Sequence, residues 1–568
     1  MRFTAGILQE VSMEKKWWHD KVAYQIYPKS FKDSNGDGIG DLRGIIEKLD
    51  YLKELGADIL WLCPIYKSPF VDQGYDISDY YKIDESFGTM EDFDELLSET
   101  KKRDMYVIMD LVINHCSDQH EWFQKALKDP EGEYGDYFYF RKGKDGKAPS
   151  NYRSYFGGSA WEKVEGSDYY YLHMFAKQQP DLNWNNEKLM RELYTMVNWW
   201  LEKGVAGFRI DAIMNVKKDP EFKDLEPDGE DGLGEVWHML EQVDGVGEML
   251  EDLKRNTFEK YHAFTVAEVS TMKKGELADF IGDHGHFGTM FDFSATVLGC
   301  GEHGWYDSKP VRFEDFRRVL FRSQLVCQDV GFLANIIENH DGPRGVNRFL
   351  PEYARNDAGI KMLGTVSVLL RGIPFLYQGQ EIGMQNCQRD SIEEYDDIST
   401  IQEYQKALDA GLAPKEALAA CGRISRDNAR TPMQWDDGEN AGFTQGTPWL
   451  KTNPNYTRIN VKEQTGREDS VLNYYKRLLA LRKSDLYREV FTYGRFAPLF
   501  EMEEKIFAYE RRLENTAVRV IANFGCEEKV LPADYFSGEQ VLLNNMEGIQ
   551  VREKSVALRP CQVVVIRS

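Results

Sequence analysis

Three carboxylates, each at the end of an apolar run, are the residues of this chain best placed for chemistry. They are Asp211 in Gly-Phe-Arg-Ile-Asp-Ala, Glu268 in Thr-Val-Ala-Glu-Val and Asp341 in Glu-Asn-His-Asp-Gly-Pro-Arg. Arg209 stands two residues before Asp211, on the same face of a strand. A nearby cation favours the charged form of a carboxylate. Two carboxyls about 5–5.5 Å apart, one nucleophilic and one protonated, split a glycosidic bond with retention. A third would stabilise the oxocarbenium-like state. One such acid alone reads better as a cap or a surface charge. Three at the ends of separate runs, with His115 at the end of a fourth and His340 beside Asp341, read as a site.

Eight apolar runs can carry these groups: 22–27, 58–62, 106–111, 207–211, 264–268, 289–293, 333–338 and 374–377. Amphipathic helices alternate with them. Leu42, Ile45, Ile46, Leu49, Leu52 and Leu55 recur at helical spacing before Gly56, and Leu189, Met190, Leu193, Met196, Val197 and Trp200 do so before Gly204. Eight β–α repeats predict the α/β class and a (β/α)8 TIM barrel, with its chemistry at the C-terminal strand ends. Residues 13–113 read as the first part of the barrel. Residues 114–181, rich in Gly, Tyr and Phe, read as a subdomain inserted after strand three. Residues 182–490 continue the barrel, with an excursion at 385–435. Beyond 491 the runs 505–511, 518–524, 540–543 and 563–566 have no helices between them, so 491–568 reads as a C-terminal β-sandwich.

Composition narrows the partners. The 568 residues carry a formal charge of −24, which repels phosphate backbones and anionic lipid. No apolar run approaches the ~20 residues of a spanning helix, and the N-terminus lacks a charged-then-apolar signal sequence. Residues 1–12 read as an extension before Met13. The 12 Trp, 30 Tyr and 31 Phe suit sugar stacking as well as core filling. None of the eight cysteines forms a C-x-x-C pair, so buried reduced thiols and a cytoplasmic location are expected.

A second cluster of oxygens lies near the start. Asp33, Asn35, Asp37 and Asp41 alternate with glycines and, with the Ile39 carbonyl, can wrap a hard cation. The opening matches an EF-hand loop, but Gly44 stands where the closing Glu belongs. The plainer reading is a Gly-rich turn with solvated acids.

The segments Asp110-Leu-Val-Ile-Asn-His115, Gly207-Phe-Arg-Ile-Asp211, Thr265-Val-Ala-Glu268 and Glu338-Asn-His-Asp341 resemble the four marker regions of the α-amylase family of glycoside hydrolases. Gln179-Pro-Asp-Leu-Asn183 resembles a marker of its α-glucosidase / oligo-1,6-glucosidase branch. The match runs from about Trp17 into the C-terminal domain. This resemblance implies that Asp211 is the nucleophile, Glu268 the general acid/base and Asp341 the transition-state stabiliser. It implies that Arg209 orients Asp211 and holds it ionised, and that His115 and His340 bond hydroxyls of the first glucose. Asp72 and Tyr75 match positions that hold the non-reducing end, with Arg426 rather than Arg430 as their partner. Phe156 and Phe175 stack on the sugar or fill the small domain's own core.

The implied enzyme is a retaining, exo-acting α-glucosidase on short α-glucosides, α-1,6-linked isomalto-oligosaccharides first. The resemblance also implies a structural Ca2+ in the loop from Asp33 to Asp41 and no organic cofactor. The expected partner is a small oligosaccharide, with no nucleic acid and no membrane, and the chain is expected to be a monomer or a weak homo-oligomer. Two alternatives share the fold. A sucrose isomerase or transglycosylase uses the same glucosyl-enzyme intermediate. A non-catalytic transporter heavy chain has a membrane span and lacks the acids. Two departures stand out: Ala212 where relatives with Val favour α-1,6 and those with Thr favour α-1,4 linkages, and Gln380 in place of a usual Glu near the barrel mouth.

Overall fold

The structure, a computed structural model, describes residues 14–269, 272, 275–536 and 540–567. The extension expected over residues 1–12 lies outside them. All eight expected runs form strands: β1 (Ala23–Ile26), β2 (Ile59–Leu62), β3 (Tyr106–Leu111), β4 (Gly207–Ile210), β5 (Phe264–Ala267), β6 (Thr289–Phe291), β7 (Leu333–Asn335) and β8 (Ile373–Tyr377). They close into one parallel barrel in sequence order, β8 pairing back onto β1. Strands β1, β2, β4 and β5 are buried along their whole length, as barrel strands covered on both faces must be.

Register explains where the acids fall. Arg209 lies beside Asp110 of β3, and Ile210 lies beside Ala267 of β5. One residue further on, Asp211 and Glu268 therefore leave neighbouring strands at the same level. Gly207 is required for this fit. A Cβ there would stand 1.8 Å from the Phe264 carbonyl oxygen, so no larger residue lets β4 approach β5.

The helix before β4, Glu187–Lys203, starts at Asn186, whose side chain accepts from Lys188 N and Leu189 N. An Asn cap of this kind is worth about 1 kcal/mol. Its buried face carries Leu189, Leu193, Met196, Val197 and Trp200, the residues of the sequence periodicity. Trp200 Nε1 also donates to the Tyr80 carbonyl (2.9 Å), so the helix is pinned in rotation as well as depth.

After β3 the insertion builds a three-stranded antiparallel sheet from Phe140–Lys142, Tyr169–Leu172 and Trp161–Lys163. Its core is not made by residues 114–181 alone. Gly234–Glu235 pairs in parallel with Tyr152–Arg153, and Phe222, Leu225, Val236, Met239 and Leu240 pack with Tyr139, Tyr152 and Trp161. The segment that follows β4 thus folds over onto the insertion. The excursion after β8 forms two helices, Ile398–Asp409 and Pro414–Ile424, that pack on Trp305 and Tyr306.

The C-terminal domain is all β. One sheet orders Arg495–Leu499, Ile506–Leu513, Thr516–Asn523, Val563–Arg567 and Gln540–Asn544; the other orders Lys529–Pro532, Ser555–Leu558 and Gln550–Arg552. Period-2 alternation divides the work. Ile506 and Ala508 face the second sheet, whereas Phe507 and Tyr509 join the core shared with the barrel. No described helix is long and apolar enough to cross a membrane, and all eight cysteines are free, six of them buried.

Candidate active site

The catalytic-end side chains form one connected network. Arg209, almost fully buried, donates from Nη1 to Asp211 Oδ1 (2.7 Å) and to Asp110 Oδ1 (2.5 Å), and from Nη2 to Glu268 Oε2 (2.8 Å). The Ala212 amide donates to the same Glu268 oxygen (3.2 Å). One guanidinium therefore serves three carboxylates. Burial, opposed by Arg209 but reinforced by Glu268, Asp110 and Asp341, raises the Asp211 carboxyl well above the usual range. Arg209 favours the ionised form, as expected, but it does not act on Asp211 alone. A single cation shared three ways does not offset burial among like charges.

From Asp110 the network turns toward the other end of the site. Tyr75 OH donates to Asp110 Oδ2 (3.1 Å) and lies 2.6 Å from His340 Nε2, and the two rings stack with an 11° tilt. Gln25 holds the opposite ring nitrogen at 2.8 Å. His340 Nε2 also meets Asp341 Oδ2 at 3.0 Å. Asp341 also receives two cations, Arg426 (3.5 Å) and Arg430 (3.2 Å). Burial opposes its ionisation, but His340, Arg426 and Arg430 together hold it well below the usual carboxylate range.

Arg426 ties this end shut. Its Nη2 reaches Asp72 Oδ1 at 3.3 Å and Asp397 Oδ1 at 2.7 Å. Gln179 Nε2 donates to Asp72 Oδ2 (3.3 Å) and lies 3.1 Å from His115 Nε2. Burial lowers the His115 pKa, which keeps that imidazole neutral. Both phenylalanines reach the site. The Arg426 guanidinium lies 5.6 Å over the Phe156 ring, and Phe175 sits 5.1 Å from His115. Phe175 also packs on Tyr155 (4.9 Å) and the subdomain core, so it wets one face and buries the other.

Residues 25–494 match the family described as alpha amylase, catalytic domain. The chain belongs to the α-amylase family. It is 43% identical over 560 residues to an oligo-1,6-glucosidase of Bacillus cereus, covering 98% of this chain and 100% of that one. Among solved structures it is similar to the trehalulose synthase of Pseudomonas mesoacidophila MX-45, with a TM-score of 0.91 and 38% identity, covering 98% of this chain and 100% of that one. It is similar to the isomaltulose synthase of Klebsiella sp. LX3 at a TM-score of 0.91 and 38% identity, covering 97% and 99%. The protein is a glycoside hydrolase of this family.

Within this glycoside hydrolase several site residues escaped the sequence reading. Asp110 is completely buried and accepts from Arg209, Trp61 and Tyr75. Its signal was available: an acid inside an otherwise apolar run. Asp397 braces Arg426 while capping the helix Ile398–Asp409, and its Asp-Ile-Ser-Thr context reads only as a helix start. Arg430, the disfavoured candidate, also belongs, since it donates to the His340 carbonyl (2.9 Å) and to Asp341. Gln380 does not face the site. Its amide lies against Tyr475 OH (3.3 Å) and the Tyr377 backbone, so the missing acid is a matter of packing.

The loop from Asp33 to Asp41 curls through its own amides. Asp33 Oδ1 accepts from Asn35 N and Gly36 N, Asn35 Oδ1 from Asp37 N, and Asp37 Oδ1 from Ile39 N. Asp41 accepts from Gly44 N, capping the next helix. A Cβ on Gly44 would lie 2.0 Å from the Lys32 carbonyl oxygen, which is why no closing Glu stands there. Among the described residues no three acidic, histidine or cysteine side chains gather as a metal cage. The donor chemistry, carboxylate, amide and carbonyl oxygen, suits a hard cation all the same.

Proposed function

We propose that this enzyme is a retaining, exo-acting α-glucosidase that releases glucose from the non-reducing end of short α-glucosides, with α-1,6-linked isomalto-oligosaccharides preferred. The observation that carries the reading is the single guanidinium bridging Asp211 and Glu268. Such a bridge favours the close spacing of a retaining pair, about 5–5.5 Å, over the about 6.5–9.5 Å of an inverting one.

Asp211 attacks the anomeric carbon as Glu268 gives its proton to the glycosidic oxygen, and the leaving sugar departs as an alcohol. The glucosyl ester on Asp211 is then attacked by water, whose proton returns to Glu268. The cluster of Asp211, Glu268 and Arg209 must hold one proton for this cycle. The raised Asp211 carboxyl and the shared cation fit that requirement, since such titrations belong to the pair rather than to either acid. As Asp211 spends its charge on the new ester bond, Glu268 gains one by losing its proton, and Arg209, released by Asp211, pairs with the Glu268 carboxylate. Asp341, kept ionised by His340, Arg426 and Arg430, faces the positive transition state and grips hydroxyls. The link from Asp72 through Arg426 to Asp397 closes the far end, so one glucose fits and the chain beyond it projects past Glu268. A cavity of about 720 Å3 lined by Tyr155, Met214 and Trp237 supports that direction.

A second reading has its own support. The isomaltulose and trehalulose synthases share this architecture, and the same cavity could keep a displaced sugar in place to attack the intermediate. Product analysis on isomaltose, maltose, sucrose, isomaltulose and trehalose decides between them. Free glucose from isomaltose supports the hydrolase; conversion of sucrose to isomers without glucose release supports the isomerase. Asp211→Ala should be folded and inactive, and full turnover by that variant would overturn the mechanism. Asp33, Asn35, Asp37, the Ile39 carbonyl and Asp41 would hold a structural calcium ion, which would brace the loop after β1 and take no part in bond cleavage.

A further inference from the structure

Lys218, seven residues beyond Asp211, is a buried cation that the reaction above does not use. Its side chain is 0% exposed, as is that of its partner Asp181, with Nζ 2.7 Å from Asp181 Oδ2. Nζ also donates to Asn114 Oδ1 (2.7 Å) and to the Asn215 carbonyl. All three ammonium protons are therefore spent, each on a different segment. Asn114 lies three residues beyond the end of β3 and precedes His115. Asp181 closes the inserted subdomain and accepts from Met174 N (2.9 Å). Asn215 sits in the turn after the nucleophile, its amide donating to the Ala212 carbonyl (2.9 Å).

The consequence for chemistry runs through Asn114. An Asn amide can face a neighbour with either its oxygen or its nitrogen. Lys218 has only protons to offer, so it claims Oδ1 and turns Nδ2 toward His115. Nδ2 stands 3.1 Å from His115 Nδ1. A nitrogen that receives that proton cannot carry one of its own, so the neutral ring must hold its proton on Nε2. That nitrogen has the Tyr75 carbonyl as its acceptor at 3.1 Å, while the Gln179 amide nitrogen, also 3.1 Å away, gives its proton to Asp72 Oδ2 (3.3 Å). It is the edge of the ring turned to the sugar.

We propose that Lys218 is a positioning residue that, through Asn114, fixes the tautomer and orientation in which His115 donates a hydrogen bond to the bound glucose. The proposal rests on the reading of this pocket as a glucose site. The expectation for binding is specific: a hydroxyl oxygen of the sugar replaces the Tyr75 carbonyl as acceptor, and an imidazole in the other tautomer has no proton to give it. Buried polar groups matched this closely lose much of their discrimination when one member turns.

The test is a double-mutant cycle read as kcat/KM on isomaltose, using Lys218→Met, His115→Ala and the pair, with thermal unfolding as the check on folding. Lys218→Met should lower kcat/KM about tenfold or more, and most of that loss should vanish in the His115→Ala background, because residues acting through one another are not additive. Losses that simply multiply would overturn the proposal, as would wild-type kcat/KM in Lys218→Met. Removing one partner of a buried ion pair can strand a charge. If Lys218→Met does not fold, Asn114→Leu, which leaves the Lys218–Asp181 pair intact, takes its place in the cycle with the same expected and overturning results. The glucose-site reading fails by a different result: His115→Ala with undiminished kcat/KM.

Discussion

Replacing Asp110 with Asn should move the alkaline limb of the kcat/KM profile to lower pH. Asp110 has no place for sugar, being completely buried behind Arg209 and Tyr75. Its carboxylate and that of Asp211 bind the same Arg209 nitrogen (2.5 and 2.7 Å), so their oxygens lie within about 5 Å and repel by about 3 kcal/mol at an effective dielectric near 20. That repulsion is one of the terms that raises the Asp211 carboxyl, after burial and alongside Glu268. The sign follows directly. A neutral neighbour makes the remaining pair less reluctant to ionise, so its proton is lost at lower pH and the acid form of the enzyme disappears sooner. The assay is initial-rate kcat/KM on an aryl α-glucoside from pH 4 to 9, for wild type and Asp110→Asn. Asn keeps an oxygen for Trp61 Nε1, now 2.9 Å from the carboxylate, and thermal unfolding checks that its amide nitrogen, turned toward Arg209 Nη1, leaves the fold intact. An alkaline limb that stays in place, or moves up, refutes the shared-cation account of the cluster.

Ala212 has a left-handed backbone, φ 41° and ψ 36°, a region that disfavours β-branched residues. Ala212→Val should therefore cost about 1–2 kcal/mol in thermal unfolding, and raise the ratio of isomaltose to maltose hydrolysis. His19, buried against Phe332, has its pKa pushed down to about 3, first by burial and then by Arg371. A depressed histidine contributes stability that is present above its unfolded value of about 6.5 and lost as pH falls toward 3, about 3 kcal/mol by pH 4; His19→Phe should flatten the acid side of the stability curve. Elemental analysis of the native protein should find about one calcium per chain, and chelation should lower the melting temperature without changing kcat at temperatures where the fold persists. Metal-free protein of unchanged stability would remove calcium from the loop.

The barrel was legible because its signal is local. Each strand is a short apolar run, each intervening helix has its own period, and both are set by neighbours in sequence. Errors occur at the ends: β7 closes at Asn335, three residues before the run's last residue, Glu338, because the chain there leaves the ladder to deliver His340 and Asp341. The edges of the C-terminal domain were illegible for the opposite reason. Gln550–Arg552 is exposed throughout, so it carries no alternation to read. The segment 217–245 misleads more deeply. Its charges suggest a solvated loop, yet Phe222, Leu225, Val236 and Leu240 are sunk in the subdomain core while its acids gather on Arg153.

The site divides in the same way. Residues that act on sugar were found because they sit at strand ends in a recognisable pattern. Of the residues that set the charge of those groups, Arg209, His340 and Arg426 came with the family resemblance, whereas Asp110 and Asp397 did not, because charge pairing ignores sequence distance: Arg426 meets Asp72 across 354 positions. The reaction depends on both sets. Asp211 is a strand-end acid like many others until Arg209 is shared with Asp110 and Glu268, and Asp341 is an ordinary carboxylate until His340, Arg426 and Arg430 surround it. Two acids of one type are thereby driven in opposite directions within one pocket, Asp211 up and Asp341 down. The proton of the cycle belongs to the coupled Asp211–Glu268 pair, while Asp341 stays ionised to face the positive transition state. The same argument locates the weak point of any attempt to redesign the linkage preference. Changes at Ala212 alter the room beside the nucleophile, but its amide also holds Glu268 at 3.2 Å, so a substitution that shifts this backbone changes the acid together with the specificity.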